Sequence, residues 1–480
     1  MDDMSISLPL LLLALGFAAW HMPVLDLTLL GGWAGSLLCM GVAARCLRQG
    51  GASLCQALAW GLLAAACLSS FLGLWQYLGL LRTPDTFWTW LHASPQEEAF
   101  GQLRQRNQFG SLMSLGLAAW LYLSRVGWPS RMPPGLAWAS LTLLALGAAT
   151  SSSRTAALTW LMLCLLALWP GSSAQPNQSG PTTRQGALIA LLGFFIFSGV
   201  LPWLAGFIDT ATLPKLSALE RLATQTEGRD ICESRIVLWR HVWELAGQRP
   251  WLGWGIGELD YAHATQTISG ERFCGQLGHA HFLPLHLAVE WGWPIAILSC
   301  LAALIWLLKY PPWRAIQSVQ MLGWSWLLVI GLHSALEFPL WYGPFQMVCG
   351  FALGAVTASS SMPSQQSTLA GKPVTTLLVS MWLVCTLWAG WDYHRVSQVF
   401  LPASQRSPDC RQAPANCLTT VVWFHQARDY AWLQQARDNP SSAWSRELAQ
   451  RVVHFAPEPW VLTLMGAAKP PAPNGKAQQP

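Results

Sequence analysis

The sequence contains few charged residues. Lys, Arg, Asp and Glu together make up 11% of its 480 residues, whereas hydrophobic residues make up 52% and Trp occurs 30 times. Apolar runs of roughly 20 residues, the length that crosses a bilayer as a helix, recur along the chain. The composition therefore predicts a helical protein that crosses a membrane many times, and we expect no nucleic-acid partner.

The first apolar run lacks two features of a signal peptide. It has neither a basic segment before the apolar residues nor a clear small-x-small cleavage site, so we expect it to be a first span. With this run included, the pattern predicts an all-α, polytopic integral membrane protein with about eleven transmembrane helices. The predicted spans are residues 6–21, 26–44, 56–80, 109–124, 135–150, 155–169, 186–206, 283–308, 319–336, 343–359 and 374–391.

Acidic residues are absent from the basic loops. Five short segments between predicted spans carry Lys or Arg but neither Asp nor Glu. Because Lys and Arg concentrate on the cytoplasmic side, the remaining loops are expected to face outward: 81–108, 151–154, 207–282, 337–342 and the tail. The predicted units are transmembrane helices over 1–206, a helical outer loop with active-site residues over 207–282, transmembrane helices over 283–391, and a helical outer tail with a disordered end over 392–480.

The sequence has no CxxC motif. Eight of its twelve cysteines fall within or at the ends of predicted spans, where Cys packs as a small hydrophobe. The other four lie in the outer loop and the tail, and we predict the disulfides Cys232–Cys274 and Cys410–Cys417 in an oxidising compartment. A zinc site in the loop is the weaker alternative without CxxC spacing. The triplet Glu258-Leu259-Asp260 is too common to indicate a metal, and no metal is predicted.

Two arginines stand out near the outward loops. Arg235 lies on the apolar stripe of the helix predicted for "CESRIVLWRHVWELAGQRP", where a buried cation needs an anionic partner. An internal salt bridge or contact with lipid headgroups would supply that partner equally well. Arg154 lies in "TSSSRTA", among hydroxyl groups that suit a phosphate, although it could also anchor a helix end at the membrane surface.

Two further polar groups flank predicted spans. Arg106, Asn107 and Gln108 lie in "GQLRQRNQFG", where anchoring at the interface is the simpler interpretation. His333 and Glu337 are four residues apart, so they would share a helical face as a structural pair. Arginine forks can hold a pyrophosphate, and a neutral His can accept the proton of an attacking hydroxyl. These groups together predict a polyanionic, lipid-linked substrate at the outer face.

The motifs resemble a known family. "GHAHFLPLHLAVEWGWP" resembles the H-N-x-x-L…E-x-G-x-P signature of the bacterial O-antigen ligase and polymerase superfamily, especially its protein O-oligosaccharyltransferase (PglL-type) branch. "LRQRNQFGSL" and "HSALEFPLWY" resemble two other motifs of that branch, and the segments around Arg154 and Arg235 are similar to its arginine-bearing segments. Two positions differ: Phe282 stands where the family usually has Asn, and His286 stands where Gln is common.

The resemblance implies a glycosyltransferase of the bacterial inner membrane with its active site on the periplasmic face. It would transfer an oligosaccharide from undecaprenyl diphosphate to Ser or Thr of a protein such as a pilin, or alternatively to lipid A-core, without a cofactor. A transporter would need inverted repeats or helices broken at the middle of the membrane, and the sequence shows no sign of either. The implied residues are His281 as base, Arg154 and Arg235 on the diphosphate, and, as substrate-binding or supporting residues, Arg106, Asn107, Gln108, Glu290, His333, Glu337 and Tyr342.

Overall fold

The regular elements of this protein are helices. The computed structural model describes residues 21–22, 24–48, 52–80, 99–128, 133–168, 182–208, 232, 234–269, 272–275, 277–315, 317–358, 372–411, 414–438 and 442–465. Within these ranges there are α-helices and short 3-10 turns and no strand, so the predicted all-α class is confirmed.

The first half of the chain forms a bundle around one central helix. That helix, α3 (Arg106–Val126), is enclosed along nearly its whole length from Gln108 to Ser124. Small residues allow this packing: a Cβ at Gly116 would come within 2.6 Å of Ala66, so α3 is in close contact there with α2 (Ala52–Tyr77). The bounds are α1 Leu27–Arg48, α2 Ala52–Tyr77, α3 Arg106–Val126, α4 Pro134–Thr150, α5 Arg154–Leu168 and α6 Thr183–Ile208.

The second half adds membrane helices and two helices of the predicted outer loop. The apolar stripe predicted around Arg235 packs inward, with Leu238, Val242 and Ala246 all buried. The bounds are α7 Arg235–Gln248, α8 Leu259–Thr265, α9 Leu283–Trp291, α10 Trp293–Lys309, α11 Ser318–Ser334, α12 Gly343–Ala358 and α13 Lys372–Phe400.

The span predicted over 283–308 is not one helix, and this prediction was wrong. The segment breaks at Gly292, whose φ of 84° lies in the region that favours glycine. The break brings the backbone against the preceding loop: a Cβ at Gly292 would be 2.3 Å from the Trp251 carbonyl oxygen, and the Trp293 N–H donates to the Pro250 carbonyl at 2.8 Å. The run is apolar, so its hydropathy does not reveal the helix boundary at Gly292. The contact with Pro250 and Trp251 requires that boundary.

The last predicted span also differs in length. Helix α13 continues nine residues beyond the predicted end at 391, to Phe400. Asp392 does not end it, because its fully buried carboxylate accepts hydrogen bonds from the backbone N–H groups of Val422 and Trp423, at 2.6 and 2.9 Å. The tail helices are α14 Pro408–Arg411, α15 Pro414–Leu418, α16 His425–Gln435, α17 Ala443–Val452 and α18 Pro459–Leu464.

Several helices have the character of membrane spans. Among the described residues five helical segments are long and apolar enough to cross a bilayer: Leu27–Arg48, Ser53–Tyr77, Arg106–Val126, Thr183–Phe207 and Trp293–Arg314. Three shorter helices, α4, α5 and α12, are also apolar. The protein is therefore a helical membrane protein. The total of eleven spans remains a prediction, and the span over 6–21 falls outside the described residues apart from His21.

Both predicted cysteine pairs are bonded in the structure. Cys232 is linked to Cys274 with a Cα–Cα distance of 5.5 Å, and Cys410 to Cys417 with a distance of 5.7 Å. The first bond ties the segment before α7 to the segment before His281. Because both sulfur atoms are in the disulfide, neither cysteine of this pair can bind zinc as a thiolate.

Candidate active site

The carboxylate of Glu337 is the centre of the site. It lies just beyond α11 and its side chain is 6% exposed. One oxygen, Oε1, accepts hydrogen bonds from Asn107 Nδ2 at 3.0 Å and from Arg235 Nη2 at 2.7 Å. The other oxygen, Oε2, lies 2.7 Å from Nδ1 of His281. A buried charge needs such partners, and these come from three distant parts of the chain.

The environment of Glu337 keeps it ionised. Burial by itself would raise the pKa of Glu337, but the contact with His281 and the positive charge of Arg235 outweigh burial, and the pKa is lowered overall. A carboxylate can only accept hydrogen bonds. Nδ1 of His281 must therefore carry the proton in this contact, which leaves Nε2 with the lone pair that can accept another proton.

His281 occupies a strained turn. Its φ of 52° is in the left-handed region, which costs a non-glycine residue roughly 1–3 kcal/mol when the surrounding structure enforces it. The neighbouring Ala280 is held on both sides: its carbonyl accepts from Trp239 Nε1 at 3.0 Å, and its N–H donates to His286 Nδ1 at 3.3 Å. The side chain of His281 is 29% exposed, so a substrate can reach it.

The other two histidines of the motif are more enclosed. The ring of His279 packs against those of Phe338 and Trp341, with centroid distances of 3.9 and 5.1 Å. Burial, helped by the nearby histidines, lowers the pKa of His279 well below its ordinary value, so it stays neutral. His286 is buried, with Nε2 3.2 Å from Glu290 Oε1. Of the three, His281 is the one that contacts Glu337. Together with Asn107 and Arg235, these two residues form what we call the Glu337 cluster.

Arg235 begins α7 and makes an internal salt bridge, one of the alternatives open from the sequence. The helix start is capped by Ser234, whose hydroxyl accepts from the Val237 N–H at 3.2 Å. The guanidinium donates both to Glu337 and to the carbonyl of Leu336. Its side chain is 34% exposed, and a guanidinium has five N–H donors, so part of it can meet a substrate anion.

Arg154 begins α5 beside the same cluster. The preceding Ser153 donates through its hydroxyl to Asn107 Oδ1 at 2.7 Å, and that hydroxyl accepts from the Ala156 N–H at 3.2 Å. Asn107 thus joins the start of α5 to Glu337. The contacts join residues of four segments predicted to lie on one side of the membrane.

The side chains of His333 and Glu337, predicted to pair, do not hydrogen-bond to each other in the structure. Helix α11 ends at Ser334, and only the backbone N–H of Glu337 bonds to His333, donating to its carbonyl at 2.7 Å. The ring of His333 instead shares a buried hydrogen bond of 2.8 Å with the Ser111 hydroxyl. Ser111 was not among the residues predicted from the sequence, although it lies four residues after Asn107 and so on the same face of α3.

The remaining predicted residues lie around the cluster. Arg106 is the first residue of α3, and the buried Gln108 is near the hydroxyl of Tyr342. Burial raises the pKa of Tyr342, against a smaller lowering effect of Gln108, so the phenol remains protonated. The turn that contains His279 and His281 is called the histidine turn below. Glu290 contacts His286 just after this turn, and its Oε1 accepts from the Gly257 N–H at 2.8 Å.

An apolar groove begins at Phe282, the residue that follows His281. Its volume is about 780 Å³, and it lies between α7 and the broken helix α9–α10. Phe282, at the position where the family usually has Asn, forms part of the groove wall and is 37% exposed. On α10 the groove residues Ile297 and Leu304 are exposed, as expected of a lipid-facing surface. The groove is lined by Trp239, Arg240, Trp243, Phe282, Pro284, Leu285, Trp293, Ala296, Ile297, Cys300, Leu301 and Leu304.

Two family models match the chain. Residues 139–300 match the model described as "O-Antigen ligase", and residues 321–469 match the model described as "Virulence factor membrane-bound polymerase, C-terminal". The first match contains Arg154, Arg235 and His281, and the second contains Glu337. The predicted resemblance to the O-antigen ligase and polymerase superfamily is confirmed.

A similar protein supports the oligosaccharyltransferase branch. The chain is 22% identical over 348 residues to the "General O-oligosaccharyltransferase" of Acinetobacter baylyi. The aligned region is 72% of this chain and 58% of that protein. The chain therefore spans somewhat more than half the length of this relative.

Proposed function

We propose that this protein is an oligosaccharyltransferase that moves a glycan en bloc from a polyprenyl diphosphate, such as undecaprenyl diphosphate, to a hydroxyl group. The observation that carries the proposal is the contact of His281 with the buried carboxylate of Glu337, next to Arg235. A histidine oriented by a carboxylate is suited to accept a proton, and an adjacent guanidinium is suited to hold a phosphate. The matches to models of O-antigen ligase and membrane-bound polymerase agree with this chemistry.

In the proposed reaction His281 is the general base. Nε2 takes the proton of the acceptor hydroxyl while the hydroxyl oxygen attacks the anomeric carbon of the first sugar. The new bond from carbon to the acceptor oxygen forms as the bond from carbon to the phosphate oxygen breaks. The lipid diphosphate leaves with that electron pair, and Glu337 stabilises the imidazolium that results.

The donor diphosphate would lie between the starts of two helices. Arg235 and Arg154 are the first residues of α7 and α5, and the N-terminus of a helix favours negative charge. Arg106, Asn107, Gln108 and Tyr342 surround the same region and would contact donor or acceptor. The hydrocarbon chain of the donor would then run into the apolar groove past Phe282.

We propose Ser or Thr of a protein, for example a pilin, as the acceptor. The "HSALEFPLWY" motif and the helical tail favour this over lipid A-core, which remains the second candidate because "O-Antigen ligase" is the description of one family match. The enzyme would act in the bacterial inner membrane with the site on the periplasmic face, where we expect the outward loops and both disulfides to lie.

The test is transfer with purified protein in lipid vesicles. An undecaprenyl-diphosphate-linked oligosaccharide is supplied with either a pilin or lipid A-core, and the products are measured by mass spectrometry. We expect glycan on pilin Ser or Thr and little or none on lipid A-core. Glycan on lipid A-core alone would reverse the acceptor assignment, and no product with either acceptor would refute the transferase proposal.

Replacing Arg154 or Arg235 with Lys should weaken donor binding. Lys keeps the positive charge but loses the planar fork that can bind a phosphate through two hydrogen bonds. We expect the KM for the lipid-linked donor to rise roughly tenfold, corresponding to one charge-assisted hydrogen bond. Arg446→Lys is the matched control, because Arg446 is an exposed residue of α17 that belongs neither to the Glu337 cluster nor to the lining of the apolar groove. Unchanged donor KM in both variants would contradict the diphosphate assignment.

A further inference from the structure

We infer that the C-terminal tail holds the histidine turn in place through helix α8, so that His454, Glu258 and Asp260 are positioning residues for the transfer reaction. The inference rests on the proposed function, because it is that function that makes His281 the general base. The contacts that carry it are independent of the Glu337 cluster. They run from the tail to Glu258, and from Asp260 to the segment just before His281.

The tail contacts the start of α8 through a buried polar pair. Nδ1 of His454 lies 2.8 Å from Oε2 of Glu258, the residue that precedes the helix, and the Glu258 side chain is 4% exposed. The His454 ring also stacks on Tyr261, with centroids 4.7 Å apart. Tyr261 and Ala264 pack against the apolar core of the tail, which includes Leu433.

The opposite face of α8 contacts the histidine turn. Oδ1 of Asp260 accepts a hydrogen bond of 2.9 Å from the N–H of Leu277, four residues before His281. Leu259 and Ala262, on this face, share an apolar core with Leu277 and Ala280. Helix α8 is thus enclosed between the tail on one side and the turn on the other.

This arrangement explains how a strained turn can persist. A helix of seven residues is too short to be stable alone, so its place depends on its neighbours. The left-handed conformation of His281 likewise requires the surrounding structure to enforce it. Without the contact between His454 and Glu258, α8 can shift, and the anchor of Leu277 on Asp260 shifts with it.

The expected effect is on catalysis more than on donor binding. The diphosphate residues Arg154 and Arg235 begin other helices, whereas His281 is in the turn that α8 supports. A displacement of about 1 Å at a reacting group can reduce a rate by up to about a hundredfold. Loss of the tail contact should therefore lower kcat and leave the KM for the donor nearly unchanged.

The experiment compares His454→Ala, His454→Gln and His425→Ala in the full-length protein. His425 is a matched control, since it is a histidine of the same tail whose Nδ1 lies 3.2 Å from the nearby Val422 carbonyl oxygen and which takes no part in the contact with Glu258. We expect kcat to fall at least tenfold in His454→Ala, with donor KM within twofold of wild type. His454→Gln, which can still donate to Glu258, should recover most of the rate, and His425→Ala should match wild type.

Hydrogen exchange of the amide groups over 277–282 gives a second readout that requires no activity. Exchange should be faster in His454→Ala than in wild type and unchanged in His425→Ala. If wild type transfers no glycan but the exchange result holds, the proposed function fails while the tail contact stands. If exchange over 277–282 is unchanged in His454→Ala, or if His454→Gln is as slow as His454→Ala, the positioning role is refuted.

Discussion

Replacing His281 with Ala is expected to reduce the rate of glycan transfer roughly 10²–10⁴-fold, the usual contribution of a positioned general base. An acceptor hydroxyl is a very weak acid, so its attack depends on a group that takes the proton. In the structure Nδ1 of His281 lies 2.7 Å from Glu337, and Nε2 remains available for this task. The measurement is the initial rate with purified variant, lipid-linked donor and acceptor.

The variant should fold and insert normally, because the His281 side chain is 29% exposed and does not fill the core. Ala adopts the left-handed backbone conformation no more easily than His, so the change does not relieve the strain of the turn. Donor binding should change little. If His281→Ala transfers at nearly the wild-type rate while His279→Ala or His333→Ala is inactive, the base has been assigned to the wrong histidine.

The identity of the site residues could be predicted from the sequence better than their contacts. Arg235 was singled out because it lies on an apolar stripe, Glu337 because it follows His333 by four residues, and His281 because its motif resembles that of the O-antigen ligase superfamily. Their partners depend on tertiary packing: Asn107 and Glu337 are 230 residues apart in sequence. The predicted pairing of His333 with Glu337 assumed that α11 continues, and it fails because the helix ends at Ser334.

Two helix boundaries show the same limit. The break at Gly292 has a local signal, since "EWGWP" places Gly and Pro inside an apolar run, and hydropathy alone conceals it. The continuation of α13 through Asp392 has no local signal. A buried carboxylate is acceptable there only because the N–H groups of Val422 and Trp423, about 30 residues away, bind it.

The functional meaning of the Glu258-Leu259-Asp260 triplet could not be predicted either. As a sequence pattern it indicates nothing specific. In the structure its two carboxylates contact different partners, His454 in the tail and the backbone of Leu277. A role for these residues depends on the tail and the outer loop meeting, and no local pattern encodes that contact.

Replacing Glu337 with Gln should reduce transfer about as strongly as loss of the base, roughly 10²–10⁴-fold. The amide oxygen of Gln can still accept from Arg235 and Asn107, which places its NH₂ group against Nδ1 of His281. Nδ1 would then have to accept a hydrogen bond, so the proton of the neutral ring would move to Nε2. The ring would keep its position but lose the lone pair that faces the acceptor hydroxyl.

The substitution should also change how stability depends on pH. The pKa of Glu337 is lowered in the folded protein, so in wild type its ionised form stabilises the fold above the ordinary Glu pKa of about 4.3, and this contribution is lost as the pH falls through the lower folded pKa. Gln cannot titrate. The difference in melting temperature between wild type and Glu337→Gln should therefore be largest near neutral pH and shrink toward acid.

Glu244→Gln is the matched control for both measurements. The Glu244 carboxylate accepts hydrogen bonds from the N–H and hydroxyl of Ser269, at 2.7 and 2.9 Å, outside the Glu337 cluster. It should transfer glycan at the wild-type rate. If Glu337→Gln also retains that rate, His281 needs no carboxylate to orient its ring, and the proton-acceptor role of Nε2 loses its structural basis. If Glu337→Gln and Glu337→Ala are equally slow but His281→Ala is active, Glu337 itself is the group that takes the proton.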